Sequence, residues 1–238
     1  SNDSTTCGYI NSNSPRKLDI SMQLLSYSPQ RSTVTAMALN SGRSTISDGL
    51  LNLYFDKNHN NIAEPDEIAE SIAVNNLLPG DSLDLSATMS ALYDQFHEYG
   101  EIQCIATCQA PEDELISNDT LITQAYISYP LNSILINEIL YEPLSGEAEF
   151  IELYNNSDFP IDLKDWLIHD KPTTSGADTL RLMSRVVLPY EYVVIAWDSS
   201  ILLQYPSLVT QHGVQILKSS FSLNSDGDVI ALYDRNGQ

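Results

Sequence analysis

Apolar residues recur at every second position along most of this chain, and a helical period is almost absent. The alternation falls into short runs broken by turn residues, which is the pattern of half-buried strands. Seven such runs occupy the first half, near Ile20–Tyr27, Thr33–Leu39, Gly49–Phe55, Ile68–Val74, Ser82–Met89, Ile102–Cys108 and Leu121–Ser128. Ser28-Pro-Gln30, Asn40-Ser-Gly42 and Leu78-Pro-Gly-Asp81 supply turn chemistry between them. The stretch Ala91–Gly100 reads either as a helical turn or as a loop. After Tyr129-Pro130 a second series begins, with runs at Ile134–Leu140, Glu149–Asn155, Trp166–His169, Tyr192–Trp197 and Val229–Tyr233.

Seven short strands in about 110 residues is the count of an immunoglobulin-like sandwich. The second series is all-β and of similar extent. The pattern therefore predicts an all-β protein of two tandem β-sandwich domains, an immunoglobulin-like one over 18–130 and a second sandwich over 131–238, after a flexible N-terminal segment, 1–17. The connector at Tyr129-Pro130 is only a few residues long, which restricts reorientation. The last residues, Asp234-Arg-Asn-Gly-Gln238, place Asn-Gly after a strand, the strongest short hairpin signal. A returning strand is expected there, so the sequence predicts a piece of a longer protein whose second domain is truncated at its C-terminus. The absence of an initiating Met and of a signal-peptide pattern points the same way.

Charge narrows the partners. The 238 residues hold 32 acids against 11 Lys and Arg, a formal net charge of -21. Charged residues make up only 18%, so the imbalance comes from a shortage of cations. Residues 16–130 and 131–238 are about equally acidic. Such a surface repels phosphate backbones and anionic lipid, which argues against nucleic acid or a membrane surface as partner. No apolar run approaches the roughly 18 residues of a membrane-spanning helix. Of the three cysteines, Cys104 and Cys108 lie on one face of a predicted strand. They stand about 13 Å apart along it, too far for a disulfide with each other. Both read as buried core thiols, while a bond from Cys7 to either stays open. No Cys-x-x-Cys pair suggests zinc.

One segment carries metal chemistry. Asp56-Lys-Asn-His-Asn-Asn-Ile-Ala-Glu-Pro-Asp-Glu67 sets side-chain oxygens at positions 1, 3, 5, 9 and 12: Asp56, Asn58, Asn60, Glu64 and Glu67. The backbone carbonyl of Ile62 falls at position 7. That is the ligand spacing of a calcium loop. Position 6 needs a positive φ, which Asn61 tolerates better than most residues other than glycine. A strand precedes the loop in place of the helix of an EF-hand. The competing reading is an Asn-rich surface hairpin with no ion.

Weaker signals have plainer explanations. Asn137, Glu138, Glu149, Glu152, Asp226 and Asp228 could line a shallow second ion site, but suit solvent-side strand positions and turns. The acidic turn Glu112–Glu114 is similar. His59, His97, His169 and His212 share no spacing, and no motif frames a nucleophile, metalloprotease or phosphate site. Trp166, Trp197 and the Tyr190–Tyr192 run read as sandwich packing before they read as a sugar-stacking face.

Two resemblances rest on particular segments. Leu39-Asn-Ser-Gly42, Leu78-Pro-Gly-Asp81, Gly100-Glu-Ile-Gln-Cys-Ile-Ala106, Glu112-Asp-Glu114 and Asn118-Asp-Thr120 resemble the cell-adhesion-related immunoglobulin-like domain of bacterial surface proteins. The calcium loop is similar to the strand-flanked loops of bacterial surface repeat proteins. The second half carries Ile134-Leu-Ile-Asn-Glu-Ile-Leu-Tyr-Glu-Pro143, Ala148-Glu-Phe-Ile-Glu-Leu-Tyr-Asn-Asn156 and Pro160-Ile-Asp-Leu-Lys-Asp-Trp166. It continues with Leu188-Pro-Tyr-Glu-Tyr-Val-Val-Ile-Ala196 and Phe221-Ser-Leu-Asn-Ser-Asp-Gly-Asp-Val-Ile-Ala-Leu-Tyr-Asp234, and over 131–238 it resembles a lamin-tail domain. It departs in having Lys164-Asp165 before Trp166, where a glycine is usual. The resemblance implies an immunoglobulin fold used as an interaction module, with no catalytic centre of its own.

Together these features predict a non-catalytic, calcium-stabilised adhesion or interaction module of an extracellular or cell-surface bacterial protein, with a protein or surface glycan as ligand. The alternative is an accessory region of a secreted hydrolase, a nuclease or phosphatase, whose catalytic domain lies outside this chain. The sequence leaves the oligomeric state open.

Overall fold

The computed structural model describes residues 16–170, 179–209, 213–217, 221, 223 and 229–238. Cys7, His212, Asp226 and Asp228 lie outside the described residues. The chain divides into two compact units, Ser1–Ile127 and Ser128–Gln238.

The first unit contains strands β1 (Ile20–Ser28), β2 (Thr33–Asn40), β3 (Gly49–Asp56), β4 (Ile68–Val74), β5 (Ser82–Thr88), β6 (Gly100–Gln109) and β7 (Thr120–Ile127). They form two antiparallel sheets, β1-β2-β5 and β4-β3-β6-β7, the arrangement of an immunoglobulin-like sandwich. The alternation seen in sequence is most regular in β2, where Val34, Ala36, Ala38 and Asn40 point inward. Helix α1 (Met89–Phe96) joins β5 to β6. It occupies the stretch that sequence left between helical turn and loop, and it begins two residues earlier. Its signals are local: the Thr88 hydroxyl accepts from the Ala91 N–H (3.1 Å), and His97 closes the helix in a left-handed conformation. Met89 and Leu92 bury its inner face.

The segment leading into β1 is fastened along its length. Backbone N–H groups of Ser41 and Gly42 donate to the Asp19 carbonyl at 2.8 and 3.1 Å. A Cβ on Gly42 would lie 2.7 Å from the Lys17 carbonyl oxygen, so only glycine allows this approach. The turn Glu112–Glu114 completes the clasp: Asp113 accepts the Ile20 N–H (2.8 Å) and Glu114 the Lys17 N–H (3.2 Å). Asn118 donates to buried Asp19, which also pairs with Arg16 (3.2 Å).

The second unit contains β8 (Ile134–Leu140), β9 (Phe150–Asn155), β10 (Ile161–Asp162), β11 (Leu167–His169), β12 (Thr179–Arg181), β13 (Val186–Val187), β14 (Tyr192–Ala196), β15 (Gly213–Ile216) and β16 (Ala231–Tyr233). A short helix α2 (Ile201–Gln204) follows β14. The sheets run β15-β14-β9-β8, β12-β11-β16 and β10-β13, with β14 and β15 parallel and the other pairs antiparallel. Ile151, Leu153, Ile161, Leu163, Ile168 and Ile195 are fully buried. Asp165, standing where a glycine is usual, has φ 64° and supplies the left-handed turn that glycine favours. The fold of the described residues is thus nearly all β and immunoglobulin-like, and the strands missed in sequence, β10, β12, β13 and β15, are each two to four residues long.

Asn155, fully buried at the end of β9, donates to the carbonyls of Phe159, Val187 and Leu188 (2.9–3.1 Å) and accepts from Ser157. Asn155→Ala leaves these groups unpaired and should cost about 3 kcal/mol in urea unfolding of the second unit. The exposed neighbour substitution Asn156→Ala should stay within about 0.5 kcal/mol of wild type. In the first unit, burial and the carboxylates of Asp113 and Asp19 push the Asp119 carboxyl from 3.8 up to about 7. The folded state therefore holds that proton more tightly than the unfolded state. The stabilisation is complete below pH about 4 and is lost as pH rises to about 7. Thermal melts across this window should show Asp119→Asn removing a falling segment of the stability curve.

Candidate metal centre

β3 delivers Asp56 to the base of a hairpin loop, and β4 leaves from Ile68 just beyond Glu67. Pro65 starts a single 3-10 turn, Pro65–Glu67, closed by the Glu67 N–H on the Glu64 carbonyl (3.0 Å). That turn swings Glu67 back over the start of the loop, where its Oε1 accepts the Lys57 N–H (2.9 Å). Positions 1 and 12 of the segment thus meet at the hairpin's base.

Asp56 organises the interior. Its Oδ1 accepts the Asn60 N–H (3.2 Å) and its Oδ2 accepts the Asn61 N–H (2.9 Å). Asn58 Oδ1 accepts the Asn60 N–H (3.0 Å), and Asn60 Oδ1 the Ile62 N–H (2.7 Å). These side-chain-to-backbone turns curl the loop, with positive φ at His59 (54°) and Asn61 (63°). The amide nitrogens of Asn58 and Asn60 both donate to Glu64 Oε2, at 2.6 and 3.4 Å. Asp56, Asn58, Asn60 and Glu64 are therefore in one connected polar ring, and the Ile62 side chain is exposed.

Burial separates the acids. Asp56 and Glu67 are 1% and 2% exposed, whereas Asn58 and Asn60 are exposed and Glu64 is half-buried. Glu67 Oε2 is buried with no hydrogen-bond partner. Among the described residues no basic side chain pairs with either buried acid. The nearest lysine in sequence, Lys57, places its ammonium 4.9 Å from the centre of the Phe96 ring. A buried carboxylate oxygen with neither donor nor counter-charge is costly, and Glu67 Oε2 stands in that position. Three His, Cys, Asp or Glu side chains do not converge as a metal cluster anywhere among the described residues. A hard cation here would need amide and backbone oxygens beside the acids, which is the donor chemistry calcium accepts.

Spacing could not reveal Gln103. It faces Asp56 across the β3–β6 ladder, and its Nε2 donates to Asp56 Oδ2 (2.8 Å) and Asn61 Oδ1 (2.7 Å). Helix α1 supports both feet of the loop, through Phe96 under Lys57 and through Gln95, which donates to the Ile68 carbonyl (2.8 Å).

Other candidates separate into packing roles. Cys104 and Cys108 are buried and free, and burial pushes Cys104 up to about 12 and raises Cys108 as well. Thiols held protonated in this way are poor nucleophiles and poor metal ligands. Asn137 donates to Glu152 (2.7 Å), and Glu149 accepts the Leu223 N–H (3.2 Å). Glu138 is exposed. His59, His97 and His169 remain apart from one another in role: His59 on the loop, His97 at a helix cap, His169 against Tyr233. Trp166 is buried beside Tyr129, and Trp197 meets Phe221 edge to face at 5.1 Å.

A comparison with curated proteins gives no match. Among solved structures, part of beta-glucosidase 3B from Thermotoga neapolitana in complex with alpha-D-glucose aligns at 17% identity and TM-score 0.32, covering 47% of this chain and 16% of that one. Beta-glucosidase from Kluyveromyces marxianus in complex with glucose aligns at 10% identity and TM-score 0.28, covering 48% and 14%. At these scores neither likeness bears on fold or activity, and each spans a small part of the enzyme's length. A family model is more informative: residues 128–238 match the Lamin Tail Domain. The second compact unit is therefore similar along its whole length to the lamin tail domain, an immunoglobulin-like and non-catalytic domain type.

Proposed function

We propose that this chain is a non-catalytic interaction module of an extracellular or cell-surface bacterial protein, with a first domain of adhesion-related type stiffened by calcium. The observation that carries the calcium reading is the pair of buried acids, Asp56 and Glu67, at the two ends of an oxygen-lined loop, with no basic partner among the described residues. Asp56, Asn58, Asn60, Glu64 and Glu67 would hold the ion by side-chain oxygens and Ile62 by its carbonyl. Calcium would supply the missing positive charge. The chain's own part is to curl the loop through the Asp56 and Asn60 acceptors and to fix its position through Gln103 and α1. Net acidity keeps the module apart from nucleic acid and anionic lipid. The lamin-tail-type second unit supports docking to a protein or a surface glycan as its role.

Calcium at 100 times its dissociation constant should stabilise the first unit by about 2.7 kcal/mol, seen as a higher melting midpoint than in chelator. Glu67→Gln should abolish that response and, in chelator, melt no lower than wild type, because it relieves an unpaired buried charge. Asp56→Ala should lower the midpoint even in chelator, since the Asn60, Asn61 and Gln103 donors lose their acceptor. Equal melts of wild type in calcium and chelator would overturn the calcium reading.

A further inference from the structure

The second unit has a pocket of about 130 Å³ between the start of β8 and the turn after β16, with Tyr129, Ile134, Trp166, Leu232 and Asp234 among its walls. Two of these side chains carry unused hydrogen-bonding capacity. Trp166 is 5% exposed and its Nε1–H has no acceptor. Asp234 is 3% exposed; its Oδ1 accepts the N–H groups of Asn236 and Gln238 (both 2.9 Å), but its Oδ2 has no donor. Side chains buried this deeply are nearly always hydrogen-bonded.

The wall chemistry selects the ligand. Among the described residues no Lys, Arg or His lines the pocket, so the Asp234 carboxylate meets no counter-charge on its walls. The rings of Tyr129 and Trp166, 6.1 Å apart and tilted by 45°, form adjoining aromatic walls. A carboxylate beside aromatic rings is the environment that recognises ammonium groups. The Trp166 N–H requires an oxygen acceptor in addition. A cavity of roughly 150 Å³ holds a benzene molecule, so the volume suits a ligand of up to about six non-hydrogen atoms. We propose that this pocket binds a small amino alcohol, with its ammonium donating to Asp234 Oδ2 and its hydroxyl oxygen accepting from Trp166 Nε1–H. The site lies in the second unit and does not depend on the calcium loop.

The test is a titration of the 238-residue chain with ethanolamine hydrochloride, following the indole N–H resonances by NMR at constant ionic strength. Trp197→Phe assigns the Trp166 signal. A saturable shift of Trp166 is expected with ethanolamine, and none with ethylene glycol, which has no charge. Asp234→Asn keeps an Oδ1 for the two backbone donors and should weaken binding at least tenfold. Trp166→Phe, read by calorimetry, should weaken ethanolamine but leave methylammonium unchanged. The proposal fails if ethanolamine gives no saturable shift, if ethylene glycol shifts the resonance equally, or if Asp234→Asn binds as wild type does. A Trp166–Asp234 contact with only water in the pocket would give the first of these results.

Discussion

Each unit is organised by one fully or nearly fully buried side-chain amide at the end of its second strand. In the first unit Asn40 donates to the carbonyls of Ser44 and Leu77 (2.9 and 2.8 Å) and accepts the Gly42 N–H (3.0 Å). In the second, Asn155 does the same for Phe159, Val187, Leu188 and Ser157. Loops of a sandwich carry backbone groups that the ladders cannot satisfy. A single carboxamide, with two donors and an acceptor, meets that demand where strands of different sheets leave the core. The clasp on β1 depends on it, because the turn that Asn40 shapes is the one that binds Lys17 and Asp19.

The acids fall into different physical roles. Asp113, Glu114, Asp162 and Asp234 accept backbone N–H groups and hold turns. Asp19 and Asp119 are buried close enough to Asp113 to raise the cost of ionising Asp119. Asp56 and Glu67 are buried at the loop's base, where they accept N–H donors but, among the described residues, meet no basic side chain. A net charge of -21 thus conceals at least three uses of the same side-chain chemistry, told apart by what each oxygen faces.

Much of the fold was legible in the apolar pattern. Ile68–Val74 and Ile134–Leu140, both edge strands, appear in the structure with the bounds that the pattern gives. β10 and β13, each two residues long, are set by pairing with each other and by the Asp162 side chain, which a period-two pattern cannot show. Helix α1 was ambiguous because its first residue, Met89, also continues the alternation of β5. The loop acids stood out through their spacing within twelve residues, whereas Gln103 is brought to them by strand register 47 residues from Asp56. Asp165 shows the converse: the sequence departs from glycine, but the backbone keeps the conformation glycine would take.

Helix α1 touches both feet of the Asp56–Glu67 loop and stacks Phe96 on Phe55 of β3 at 4.6 Å. Neither foot can detach without losing a contact to the same eight-residue helix. The loop and α1 should therefore open as one cooperative segment, and the amides of Asn60 and Asn61 should share their hydrogen-exchange rate with those of the helix interior. A surface hairpin of twelve residues acquires in this way the lifetime of a helix distant from it in sequence.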